Sequence, residues 1–353
     1  MNRTWFSTAI LALVLSPITA YSIDSVTRRG VERPIGGEIK SISKTEVVVF
    51  QKVGSKEEKI PANEIISIDW DAEPPEFGLG RGHEDAGNYT QAMEQLIAAA
   101  AAAKGADPNV RADIEFYIAR IAAKSALADP EQASAATETL KTFVAAHRDN
   151  FRIYEAQSLL AEVALRMNDV PAAESAFNAL SQAPWSDTKM AGQLGLARVM
   201  LSQQNITGAR AGFDEVVALE AKLPAEQSRH LQGMLGQARC LQLQMQHAEA
   251  IKILEQVIEQ AGPEETRTIA EAYLRQGDSL AALGQNAKEA VLAYLHVDVI
   301  PALAEEGDLH AEALYQLSKL WNVVGQAARG AEASAKLEQM YPKSEWTKKL
   351  GGG

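Results

Sequence analysis

With 353 residues, a formal net charge of −12 and 46% hydrophobic residues, the chain has the composition of one or two folded domains or of one repeat array. The acidic balance argues against a nucleic-acid partner, because neutralising phosphates takes clustered Lys and Arg. The one cysteine, Cys240, excludes an intramolecular disulfide and any cysteine-built zinc or iron–sulfur cage. Aromatics make up only 6% and alanine is abundant, which favours helix over sheet.

Asn2 and Arg3 precede an apolar run of 11 residues from Trp5 to Leu15, ended by Ser16-Pro17. A membrane span needs about 20 apolar residues. The run is too short for that and predicts a secretory signal peptide over residues 1–22. Cleavage fits after Ala20 or after Ser22, both small. No cysteine follows the run, so the expected mature protein is exported, periplasmic or extracellular, soluble and not lipid-anchored, with no stable membrane insertion.

Residues 23–72 predict a small β module. The strand candidates are 35–42, 47–50, 57–60 and 65–70, rich in β-branched residues. Ser43-Lys44, Gly54-Ser55 and Pro61-Ala62-Asn63 mark the turns between them. Four or five short strands suit an SH3-like or Sm-like open barrel. So small a unit is marginal alone and is expected to dock on the segment C-terminal to it. Arg28, Arg29 and Arg33 read as a solvated, flexible arm, with a ligand patch as the alternative.

Asp71-Ala72-Glu73-Pro74-Pro75 breaks the pattern, and helical periodicity then runs on through the chain. A small residue followed by a charged one recurs: Gly80-Arg81, Ala119-Arg120, Ala161-Glu162, Ala197-Arg198, Ala238-Arg239, Gly277-Asp278 and Ser318-Lys319. The intervals are 39, 42, 36, 41, 39 and 41 residues. Downstream, an alanine precedes a large apolar residue by four positions: Ala92/Leu96, Ala173/Phe177, Ala209/Phe213, Ala250/Leu254 and Ala290/Tyr294, with Leu140/Phe143 and Ala333/Leu337 as looser versions. Helix breakers such as Gly87-Asn88, Asn168-Asp169 and Gly284-Gln285 lie between the two signals.

This pattern resembles the tetratricopeptide repeat over about residues 73–346. Gly87-Asn88-Tyr89-Thr90-Gln91-Ala92 is similar to the family's turn and second-helix opening, and Leu79-Gly80 and Leu160-Ala161 to its first-helix pair. Tyr341-Pro342-Lys343-Ser344-Glu345-Trp346 resembles the stop of exported bacterial repeats of this kind. Units near 40 residues exceed the family's usual length of about 34, and the usual tryptophan early in the first helix is absent. The resemblance implies a mostly α solenoid of about seven hairpins behind the β unit, with residues 347–353 as a flexible tail. It also implies that the residue after each small one faces a concave groove. The expected partner-binding residues are therefore Arg81, Arg120, Glu162, Arg198, Arg239, Asp278 and Lys319, joined by Leu165, Leu201, Gln242 and Asn322.

No catalytic constellation stands out. The six histidines have no metal-ligand spacing, and no nucleophile elbow or Walker loop occurs. Gly78-Leu79-Gly80-Arg81-Gly82 follows no strand-to-helix crossover and reads as helix rather than phosphate loop. Cys240 reads as a buried, inert thiol. No cofactor or metal is expected. The leading reading is a non-enzymatic, exported scaffold of the cell envelope that binds a protein or peptide in the groove. The alternatives are a self-associating envelope protein, an enzyme, and a glycan- or solute-binding protein.

Overall fold

The computed structural model describes residues 23–351 apart from Gln285, so the expected signal peptide lies outside the described residues. Five strands open the described chain: β1 (Asp24–Arg28), β2 (Ile35–Ile42), β3 (Glu46–Gln51), β4 (Lys56–Pro61) and β5 (Ile65–Asp69). They form one antiparallel sheet in the order β4-β3-β2-β1-β5. A single turn of 3₁₀ helix, Ala62–Glu64, carries the chain from β4 back to pair β5 with β1. Bulges between Ile39 and Ser41 and between Thr27 and Arg28 bend the sheet. It encloses Val26, Val47, Val49, Ile60 and Ile68, all fully buried. This five-stranded antiparallel sheet is the small β unit expected ahead of the helices. The flexible-arm reading fails at Arg28, which lies in β1 and pairs with Glu58 and Glu64 at 3.1 and 2.5 Å. Arg29 and Arg33 are exposed in the following turn.

Seven helical hairpins come next. They are α1 (Pro75–Asp85) with α2 (Tyr89–Ala102), α3 (Pro108–Ala128) with α4 (Ala133–Ala146), α5 (Ile153–Arg166) with α6 (Val170–Ser181), and α7 (Ser186–Ser202) with α8 (Ile206–Ala218). Then come α9 (Pro224–Leu243) with α10 (His247–Gln260) and α11 (Thr266–Leu283) with α12 (Ala287–Val299). After a short α13 (Pro301–Ala304), α14 (Gly307–Val323) pairs with α15 (Ala327–Met340). A last helix, α16 (Glu345–Leu350), packs on α14, so the tail expected from residue 347 begins inside a helix. No described helix is long and apolar enough to cross a membrane.

Local chemistry sets these boundaries. Pro75, Pro108, Pro224 and Pro301 each open a helix, where a missing N–H costs nothing. Asp107, Asp169, Asn205, Asn286 and Ser344 cap helices by accepting a bond from a first-turn N–H. The turn inside most hairpins uses one left-handed residue: Gly87, Asn168, Gln204, Met245, Gly284 or Gly325. The second hairpin instead turns through 3₁₀ residues Pro130–Gln132.

The repeated small and large residues build the core. Ala92, Leu96, Ala173, Ala209, Ala250, Leu254, Ala290 and Leu337 have no exposed surface. Gly80 lies so close to α2 that a Cβ would sit 2.8 Å from the Leu96 side chain, and Gly277 stands against Tyr294 in the same way at 2.6 Å. Small residues at this register let the two helices of a hairpin touch. Each helix packs on the next along the chain, and the first helices of successive hairpins also touch one another.

Candidate interaction groove

The first helix of each hairpin carries its charged residue next to a buried small one. Ala119, Ala161, Ala197 and Ala238 are at most 1% exposed. At 100° per residue, the neighbour turns off that buried face toward the surface the first helices line together. Ion pairs that cross from one hairpin to the next on this side, such as Arg120–Glu84, Arg198–Glu162 and Arg275–Glu312, show that these faces adjoin.

The seven stripe residues have different surroundings. Arg81 is drawn away to the β unit: it pairs with Glu73 at 2.6 Å and Asp69 at 2.9 Å and donates to the Ile68 carbonyl at 2.8 Å. Arg120 pairs with Glu84 at 2.5 Å and Glu155 at 3.3 Å, with its guanidinium 4.0 Å from the Tyr117 ring centroid. Glu162 and Arg198 meet each other at 2.8 Å, the one pair of stripe members brought into contact among the described residues. Arg239 is exposed and donates to Gln242 Oε1 at 3.3 Å. Asp278 accepts from Arg275 at 2.6 Å and from the Tyr294 hydroxyl at 2.8 Å. The Lys319 ammonium lies 4.1 Å from the Tyr315 ring centroid and bonds to the Tyr315 hydroxyl.

Of the added groove positions, Leu165 and Leu201 are half-buried. Gln242 is buried instead of lining the groove, because its amide donates to the Arg275 carbonyl and to Ser279 Oγ in the next hairpin. Asn322 turns back to the Ser318 carbonyl. Burial alone would raise the Glu84 carboxyl, but the Arg120 and Lys124 cations outweigh it and hold that carboxyl below the usual range. Burial pushes the Cys240 thiol up, which leaves it protonated and unreactive, and Cys240 is fully enclosed. Gly78 to Gly82 lie within α1, where Gly80 serves packing.

No family model matches the chain, and no curated protein matches it. Among solved structures, a tetratricopeptide repeat protein from Parabacteroides merdae ATCC 43184 is similar at 17% identity, over 78% of this chain and 95% of that one, with a TM-score of 0.54. A Rap protein complexed with competence and sporulation factor is similar at 16% identity, over 78% of this chain and 77% of that one, with a TM-score of 0.51. The helical part has the tetratricopeptide-repeat fold.

Within this fold, the junction between β unit and solenoid rests on residues the repeat pattern does not single out. The Trp70 indole N–H donates to Asp113 Oδ2 at 2.9 Å, and Arg152 Nε donates to Asp113 Oδ1 at 3.1 Å. Arg152 is 2% exposed, lies over the rings of Phe116 and Phe151, and donates to the Ile66 carbonyl at 3.1 Å. With Arg81 on Ile68, two arginines of the tetratricopeptide hairpins donate to carbonyls of β5, an edge strand of the sheet. The signal that finds Asp113 in the sequence is its place seven residues before Arg120, a spacing of about two helical turns that recurs at Glu155, Glu271 and Glu312.

Proposed function

We propose that the chain is an exported, non-enzymatic interaction scaffold of the cell envelope, with a protein or peptide partner held in the groove of the solenoid. The observation that carries this reading is the recurrence of polar and charged residues at one register of seven first helices, on faces that adjoin from hairpin to hairpin. A repeat array gives such a surface length without enclosing it, which suits an extended segment better than a small molecule. A structure of the same fold, the Rap protein, was solved complexed with competence and sporulation factor, which supports a binding role for the fold. Export rests on the apolar run from Trp5 to Leu15.

A photo-reactive residue placed at Arg239 should cross-link a partner in intact cells, and one at Lys141 on the outer helix α4 should not. Joint reversal, Arg198→Glu with Arg239→Glu, should weaken that capture and its salt dependence while circular dichroism stays unchanged. Adducts only from Lys141 would defeat the groove reading. N-terminal sequencing of the mature chain should start at Tyr21 or Ile23, and an intact Met1 on cytoplasmic protein would defeat export.

A further inference from the structure

Positions seven residues before each stripe residue share its helix face about two turns away, and positions ten before lie about 80° round the helix from it. The minus-seven column reads Pro74, Asp113, Glu155, Ala191, Gln232, Glu271 and Glu312 down the hairpins. Carboxylates stand in hairpins two, three, six and seven, and the column is broken at four and five. Those carboxylates neutralise neighbouring arginines. Asp113 and Glu155 hold Arg152, Glu155 also reaches Arg120, and Glu312 takes Arg275 through two bonds of 2.9 Å while Glu271 adds its charge.

The fifth hairpin repeats the arginine without the acids. Arg229 lies ten residues before Arg239, as Arg152 lies ten before Glu162. Where Arg152 finds Asp113 and Glu155, the equivalent positions around Arg229 are Ala191 and Gln232. Arg229 Nη1 donates to Gln232 Oε1 at 3.0 Å. Arg229 is half-buried, and no carboxylate of the described residues lies within ion-pair distance of it. Desolvation, and then the charge of Arg198, make its protonated form less favourable than usual. Asp187 and Glu162 favour it and Arg29 of the β unit opposes it, without reversing that balance. The other half-buried or buried arginines described, Arg28, Arg81, Arg120, Arg152, Arg198, Arg210 and Arg275, each have a carboxylate partner. Arg239, in the same helix as Arg229, is likewise held only by a glutamine.

We infer that the gap at hairpins four and five is a receptor for an acidic segment of a protein partner, whose carboxylates fill the positions that Ala191 and Gln232 leave uncharged. Arg229 receives one carboxylate beside Gln232, and Arg239, also held only by a glutamine, receives another. A guanidinium offers a planar fork that matches a carboxylate and is weakly hydrated, so a half-buried arginine without a partner acid is suited to accept one. The net charge of −12 repels an acidic partner at long range, so recognition rests on this local cluster. This inference rests on the groove reading of the function and adds the chemistry of the occupant.

The test uses the full mature chain and three fluorescein-labelled peptides: repeats of Glu-Gly-Ala, and the same repeats with Gln or Lys in place of Glu. Fluorescence anisotropy should show binding of the Glu peptide alone, weakening as salt rises. The variant Arg229→Gln should weaken it by about tenfold, the scale of one charge-assisted contact. The decisive variant keeps every arginine and fills the column, Ala191→Asp with Gln232→Glu. It should abolish binding of the Glu peptide while leaving the fold intact by circular dichroism. Equal binding of the Glu and Gln peptides, or binding of the Glu peptide that survives the filled column, overturns the inference and leaves the groove reading standing. Equal or tighter binding of a single-stranded oligonucleotide also overturns it. Cross-links that avoid Arg239 altogether defeat the groove reading itself.

Discussion

In the third hairpin Arg152 is sealed beneath the β unit, held by Asp113 and Glu155 and stacked on aromatic rings, while in the fifth hairpin Arg229 at the same register has only the amide of Gln232. The surrounding cores differ too. One continuous apolar cluster joins the β unit with hairpins one to three and reaches Val199 of hairpin four, while the rest of hairpins four and five is built on smaller clusters around Phe213 and around Leu254. At Arg152 two acids seven positions before the stripe close round the guanidinium, and at Arg229 the same positions offer only Ala191 and Gln232. A repeat array makes this possible because each hairpin can change its surface while its small and large packing residues stay fixed.

The sharpest way to break the contrast is to remove the sealed arginine. Arg152→Gln leaves Asp113 as a buried acid with only the Trp70 indole and costs about 3–5 kcal/mol, the usual penalty for breaking a buried pair from one side. Urea unfolding followed by circular dichroism measures this. Tryptophan fluorescence should report the loss in the same transition, because Trp70 reads the same joint. A loss below about 1 kcal/mol, the range of surface pairs, would mean that the joint is not held by this pair.

A change that treats both regions alike comes next. Ala173 and Ala250 have no exposed surface at the equivalent second-helix position of hairpins three and five. Ala→Leu at either should cost about 1–3 kcal/mol through overpacking, read as a lower melting temperature. Similar losses at both sites would show that the repeat core is uniform although the groove is not. An unchanged melting temperature at one site would mark a hairpin whose helices do not cross there as closely as in the others.

The contrast between packing and surface also explains what was legible in the sequence. The recurring small–charged pairs and alanine–large pairs place all seven hairpins, because steric demands at a helix crossing leave few residue choices. Three of the strands, 35–42, 47–50 and 57–60, fall on β2, β3 and β4, and the 65–70 candidate overlaps β5. β1 lacks the signal: Asp24-Ser25-Val26-Thr27-Arg28 has only one apolar residue, and it is a strand because it is sandwiched between β2 and β5. The groove was harder to read. Taking one position per helix singles out Arg81 and Asp278, which are tied to the β unit and to Tyr294, and passes over Arg229. Whether a charge is neutralised depends on residues one hairpin away, such as Glu84 for Arg120 and Asp113 for Arg152, which one position per helix does not disclose.

The smallest expected effect is the most discriminating. Arg229→Gln makes the same chemical change as Arg152→Gln at the same register, yet it orphans no acid, because no described carboxylate is paired with Arg229. It removes a half-buried cation whose charge burial and Arg198 both disfavour. Gln232 keeps access to a donor in the new amide. Stability should therefore stay within about 0.5 kcal/mol of the parent, the range of ordinary surface changes, or rise slightly, when measured by urea unfolding under identical salt. If Arg229→Gln instead cost as much as Arg152→Gln, the fifth hairpin would hold its arginine as a structural bolt as well. The two regions would then differ in their residues but not in what their arginines do.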